Sequence, residues 1–177
     1  VHMFSMIILG FTGMYLRFPY FNGGRTFMRG AHYVFMIIVI AVLIWRVWYA
    51  FRSKTNADWR EFAIGKKDLK TAVGVLKYYG YLSNEKPHVA KYNVLQKMSY
   101  NLFLYMMIIM AFSGLALVRY PLPIIDVSPS YLLVGWGGGA LVGDAASALW
   151  YTRMLHYVLN WAFIIMTTVH LYLAFTV

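Results

Sequence analysis

The stretch Met154-Leu-His-Tyr-Val-Leu-Asn-Trp-Ala-Phe-Ile-Ile-Met-Thr-Thr-Val-His170 decides how the rest of the chain is read. It is apolar, holds no acidic residue, and carries two histidines, His156 and His170, fourteen positions apart. Fourteen residues make close to four helical turns, so both imidazoles leave the same face, roughly 21 Å apart along the axis. A bilayer hydrocarbon core is about 30 Å thick. One histidine is therefore expected near each membrane surface, with both facing one seam. Neutral imidazole is a common metal ligand and a usual axial ligand of haem iron. The helix thus reads as giving one ligand to each of two haems stacked across a membrane.

Composition agrees with a membrane setting. Of 177 residues, 61% are hydrophobic, 19% aromatic and only 12% charged, against about 25% charged in a water-soluble domain. There is no cysteine, which excludes disulfides, iron–sulfur clusters and covalently attached c-type haem from this chain. Any haem here is held non-covalently. The net charge is +10, and ten of the sixteen Lys and Arg lie between Arg52 and Lys97. That clustering is the mark of a cytoplasmic loop of a membrane protein, so nucleic-acid binding is not expected. The sequence begins Val-His-Met, and the first helix is expected to continue upstream of it.

Outward from the two-histidine helix, the chain reads as an all-α integral membrane four-helix bundle forming one domain over residues 1–177. Helices are expected at about 2–18, 27–51, 95–118 and 150–177. A cytoplasmic loop covers 52–94 and an outer loop 119–149. Within the cytoplasmic loop, Trp59–Phe62 and Leu69–Tyr79 read as amphipathic pieces at the membrane surface. His88, after Pro87, reads as a solvated loop residue. Residues 132–149 are moderately apolar, but glycines and Asp144 argue against a further span. Gly10 and Gly13 form a small-residue notch, read as close helix packing in preference to room for a haem face.

The basic loop puts both termini in the cytoplasm. On that frame His32 and His156 share the outer level, while His2 and His170 share the inner one. His32 with His156 is expected to ligate an outer haem b, and His2 with His170 an inner one. Arg29 and Arg153 each precede an outer ligand by three residues, on the same helical face. They are candidates for the propionates of the outer haem, because guanidinium and carboxylate pair in a fork geometry. The ordinary alternative is an interfacial arginine. Arg46, fourteen residues after His32, either snorkels to the cytoplasmic surface or meets a propionate of the inner haem. Two imidazoles per iron leave no open position, which suits electron transfer rather than oxygen chemistry. No nucleophile or acid–base constellation appears, so hydrolytic chemistry is not expected.

The chain resembles the di-haem cytochrome b membrane subunits of bacterial nickel–iron hydrogenases, with formate dehydrogenase gamma subunits and thiosulfate-reductase cytochromes as relatives. The resemblance rests on His2, Arg29-Gly-Ala-His32, Arg46-Val-Trp-Tyr-Ala-Phe51, Ser113-Gly-Leu-Ala-Leu117 and Arg153-Met-Leu-His156 with His170. It covers nearly the whole chain. The entry to the third helix, Lys91-Tyr-Asn-Val-Leu-Gln-Lys97, is more similar to the formate dehydrogenase and thiosulfate-reductase branch. The resemblance implies a bacterial inner-membrane subunit. It implies a periplasmic iron–sulfur small subunit, a catalytic large subunit, higher-order assembly of that complex, and menaquinone or ubiquinone as electron carrier. Tyr92, Asn93 and Gln96, with His170, are the quinone candidates: their depth abuts the inner haem and their amide and phenol groups suit quinone carbonyls. Asn93 alternatively caps the third helix. The alternatives in function are a formate dehydrogenase or thiosulfate/polysulfide reductase subunit, and a stand-alone cytochrome b561 quinol oxidoreductase.

Overall fold

The structure, a computed structural model, describes residues 2–53, 58–84, 94–121, 127–138 and 143–176, without the side chains of 135–138 and 172–176. Its main helices are α1 (His2–Arg17), α2 (Arg25–Arg52), α3 (Trp59–Phe62), α4 (Lys66–Tyr79), α5 (Val94–Ala116) and α6 (Ala145–Thr176), with a π-helical segment at Tyr131–Gly138. Three stretches are long and apolar enough to cross a membrane: Arg25–Arg52, Val94–Ala116 and Ala145–Leu171. Their side chains explain why they belong in lipid. Ile37, Ile44, Trp45 and Ile165 are all more than half exposed. Contiguous apolar surface of this kind marks a membrane or protein contact in a folded chain.

The chain divides into two compact units, residues 1–42 with 106–177, and residues 43–105. In the first unit, α1 stops where Pro19 forbids its continuation. Gly23 and Gly24 follow at φ of 80° and 72°, a left-handed backbone that glycine adopts without steric cost. The Tyr15 hydroxyl donates to the carbonyl oxygens of Phe21, at 3.0 Å, and of Gly23. Tyr15 is 1% exposed, so the turn closes over its own anchor. Phe18 and Arg17 of the α1 exit meet the Tyr157 ring of α6, at 6.3 and 5.7 Å. Phe4 meets Phe35 of α2 at 6.3 Å.

Two differences from the sequence reading appear here. First, α6 begins at Ala145, about five residues earlier than read. Asp144 accepts a 2.8 Å hydrogen bond from the Ser147 N–H, the side-chain cap that helix starts favour. Second, the segment read as outer loop contains the π-helical turns. Ser128 opens them by accepting from the Tyr131 N–H at 3.2 Å. Val134 then buries against Ala116 and Ala148, so the stretch has an apolar reason to order.

In the second unit, Asp58 caps α3 by accepting from the Arg60 N–H at 3.1 Å. Asp68 accepts from the Gly65 N–H at 2.9 Å and pairs with the Lys97 ammonium at 3.0 Å. Asn101 donates to the Phe62 carbonyl at 2.8 Å, a bond worth about 1 kcal/mol net. These contacts tie α3 and α4 to the first turns of α5. Meanwhile α4 turns Leu69, Val73 and Leu76 outward, three apolar residues at helical spacing as a surface-lying helix requires.

Candidate haem-ligand site

The site is assembled within the first unit from four helices. His32 on α2 and His156 on α6 have ring centres 6.4 Å apart, with ring planes at 72°. Each ring is held from a neighbouring helix. Thr12 Oγ1 on α1 lies 2.9 Å from His32 Nδ1, and Ser113 Oγ on α5 lies 2.9 Å from His156 Nδ1. The two hydroxyl residues are 3% and 6% exposed.

Proton placement follows from what else the hydroxyls touch. Thr12 donates its proton to the Ile8 carbonyl at 2.7 Å, and Ser113 donates to the Met110 carbonyl at 3.1 Å. A hydroxyl has one proton and two lone pairs. Each is therefore left to accept, and Nδ1–H of each imidazole donates to it. A neutral imidazole protonated at Nδ1 keeps its lone pair at Nε2, the form in which it ligates a metal.

Glycines supply the room. A Cβ placed on Gly13 would sit 3.3 Å from His32 Cε1, and one on Gly114 would sit 3.3 Å from His156 Cε1 and 3.6 Å from Met36 Sδ. Gly13 thus serves the ring. The packing role read from the sequence holds no better for Gly10, which would meet nothing within 4 Å.

Do these residues fit a haem? Two metal–imidazole bonds of about 2.0 Å, with imidazole radii of about 1.1 Å, put ring centres about 6.2 Å apart when one metal lies between them. The observed 6.4 Å matches. Among the described residues no group of three or more His, Asp or Glu side chains gathers to hold a bare metal ion. A two-imidazole donor set suits an iron whose other ligands come from a porphyrin. The fit is good.

The remaining expected residues are placed as follows. Arg29 and Arg153 are exposed, each three residues before its histidine, and Arg46 is exposed on the later part of α2. Among the described residues none of these three guanidiniums has an ion-pair partner. His2 opens α1 with a buried Nδ1 that has no hydrogen-bond partner among the described residues, an orphaned donor or acceptor of the sort a ligand satisfies. His170 is exposed on α6, fourteen residues beyond His156. Gln96 is exposed in the first turn of α5, while Tyr92, Asn93 and His88 lie outside the described residues. The sequence reading missed Thr12 and Ser113 as functional residues. Their signal was the pairing of each hydroxyl with the glycine that follows it.

Apolar helices able to span a bilayer, carrying two imidazoles at iron-ligand separation, define an integral-membrane haem protein. Across residues 1–177 the chain matches the family model described as prokaryotic cytochrome b561, and it belongs to that family. It is accordingly a membrane electron-transfer protein that binds b-type haem. No curated protein and no solved structure matches it.

Proposed function

We propose that this chain is the di-haem b subunit that carries electrons between a periplasmic iron–sulfur partner, most simply that of a nickel–iron hydrogenase, and the quinone pool of the bacterial inner membrane. The carrying observation is the His32–His156 pair, 6.4 Å apart with both Nδ1 atoms engaged by hydroxyls. In this reading the chain is a single four-helix bundle, α1, α2, α5 and α6, with both termini in the cytoplasm. The basic run from Arg52 to Lys97 supports that orientation.

Haem b supplies a one-electron couple when bound; the chain supplies its ligands, depth and surroundings. His32 and His156 hold the outer group through Nε2, and His2 and His170 hold the inner one. Arg29 and Arg153 pair with outer propionates, and Arg46 with the inner group, since unpaired guanidiniums at a membrane boundary favour carboxylate partners. Held by two imidazoles, such a group would leave small oxidants no vacant position. Tyr92, Asn93 and Gln96, with His170, are the residues proposed to hold menaquinone or ubiquinone, by hydrogen bonds to its carbonyls. Protons for the quinol then come from the cytoplasm while electrons arrive from outside, which charges the membrane.

The test has two arms. Membranes carrying the His156→Ala chain should lose one of two b-type absorption components and keep the other; loss of neither overturns the ligand assignment. The wild-type chain purified in mild detergent should bring down a periplasmic hydrogenase with its iron–sulfur subunit. Recovery of a formate or sulfur-compound oxidoreductase moves the protein to that branch. Recovery of the cytochrome alone favours a stand-alone quinol oxidoreductase.

A further inference from the structure

The outer pair is built twice. Phe11-Thr-Gly-Met-Tyr-Leu-Arg-Phe-Pro19 at the exit of α1 and Phe112-Ser-Gly-Leu-Ala-Leu-Val-Arg-Tyr-Pro121 at the exit of α5 share Phe, a hydroxyl residue, Gly, Leu, Arg, an aromatic and Pro, with one residue added in the second copy. Each run is followed by a helix bearing Arg-x-x-His: Arg29 to His32, and Arg153 to His156. The contacts repeat with the letters. In both copies the hydroxyl lies 2.9 Å from the ligand's Nδ1. In both, the following glycine would place a Cβ 3.3 Å from the ligand's Cε1. In both, the hydroxyl's own proton goes to a helix carbonyl one turn back.

We propose that Thr12 and Ser113 are positioning residues of a duplicated half-site: each accepts the Nδ1–H of its histidine and thereby fixes which nitrogen faces iron and how strongly that nitrogen donates. This rests on the haem reading above and adds to it. A hydroxyl that accepts from Nδ1–H raises the electron density of the imidazole, as outer hydrogen-bond partners do for other metal-bound histidines. A more basic ligand favours ferric over ferrous iron, so the two hydroxyls hold the outer potential down. A repeat that kept only a packing device would have no need to keep the oxygen at both positions; alanine and valine pack as well.

The experiment compares Thr12→Val and Ser113→Ala with the conservative exchanges Thr12→Ser and Ser113→Thr. The readouts are haem content, the midpoint potential of each b component in an optical titration, and the low-spin electron paramagnetic resonance spectrum. Thr12→Val and Ser113→Ala should each raise the outer midpoint by about a tenfold change in the ferric-to-ferrous ratio, which is about 59 mV for a one-electron couple. The inner component should stay fixed. The conservative exchanges should return the wild-type value. If a hydroxyl-deleting variant binds no haem, retention in its conservative counterpart still assigns the role to the oxygen. Unmoved potentials and spectra in both deletions, with full haem, overturn the proposal. So does equal haem loss in deletions and conservative exchanges at both sites. His156→Ala separates this from failure of the parent reading: a spectrum indifferent to that change removes the haem site itself, whereas a spectrum that depends on His156 but not on the hydroxyls removes only their role.

Discussion

Alanine at Gly13 would test the haem-facing geometry at the scale of a single methyl group. Its Cβ would stand 3.3 Å from His32 Cε1, inside the 3.5–4.0 Å at which carbon atoms attract best, so the ring must retreat by roughly 0.2–0.7 Å. Ligand constellations tolerate about 0.5 Å. The ring is also tied to Thr12 one residue away, so it has little freedom to yield. Overpacking of this kind costs about 1–3 kcal/mol, against a gain of about 1 kcal/mol from replacing a helical glycine. The balance is a loss of about 0–2 kcal/mol, at its middle about fivefold in haem affinity. Gly10→Ala is the control, because nothing lies within 4 Å of its added Cβ; it should keep the haem and gain stability. Haem-to-protein ratio on apoprotein titrated with haemin, followed by the b-type absorption band, gives the comparison. Should Gly13→Ala and the larger Gly13→Leu both bind as tightly as wild type, the ring does not stand where the reasoning needs it.

Three other outcomes follow from the same structure. The imidazole planes are 72° apart, and near-perpendicular axial ligands give ferric iron a strongly anisotropic low-spin resonance with a large maximal g value; a rhombic signal from the component lost in His156→Ala would contradict that angle. Hydrogen bonding from the Gly65 N–H, then from Lys97, holds the Asp68 carboxyl below the usual carboxylate range. A depressed native pKa stabilises only above the unfolded value, and the contribution is lost as pH falls through the native one. Protease susceptibility of the α3–α4 segment should therefore rise on acidification below about pH 4, and Asp68→Asn should remove that dependence. Tyr15→Phe deletes the donor to the Phe21 and Gly23 carbonyls and should lower thermal stability by about 1 kcal/mol, read from the unfolding of detergent-solubilised protein.

Much of the architecture was legible because membrane helices announce themselves by length and composition. Helices read at about 27–51 and 95–118 correspond to Arg25–Arg52 and Val94–Ala116, differing by one or two residues at each end. The early start of α6 is less visible, since in sequence Asp144 reads as a charge against a membrane span, and only its bond from the Ser147 N–H shows it as a cap. The π-helical turns at Tyr131–Gly138 escaped because glycines at 135, 137 and 138 argue for a loop on propensity alone. At the site, the fourteen-residue spacing of His156 and His170 marks that helix, and matching depth pairs His32 with His156. Serine and threonine inside apolar helices carry no such period. Their commonest partner is a carbonyl one turn back in their own helix, and Thr12 and Ser113 make that bond too. Only the third dimension shows the lone pair left over.

The turn sealed by Tyr15 and the bond between His32 and Thr12 lie within the hairpin of α1 and α2, while Ser113 and His156 belong to α5 and α6. Each pair of successive helices thus carries within itself the hydroxyl that holds its own imidazole. The two hairpins also meet directly, Phe18 and Arg17 against the Tyr157 ring, so a group bound between the imidazoles would strengthen a seam that side chains already make.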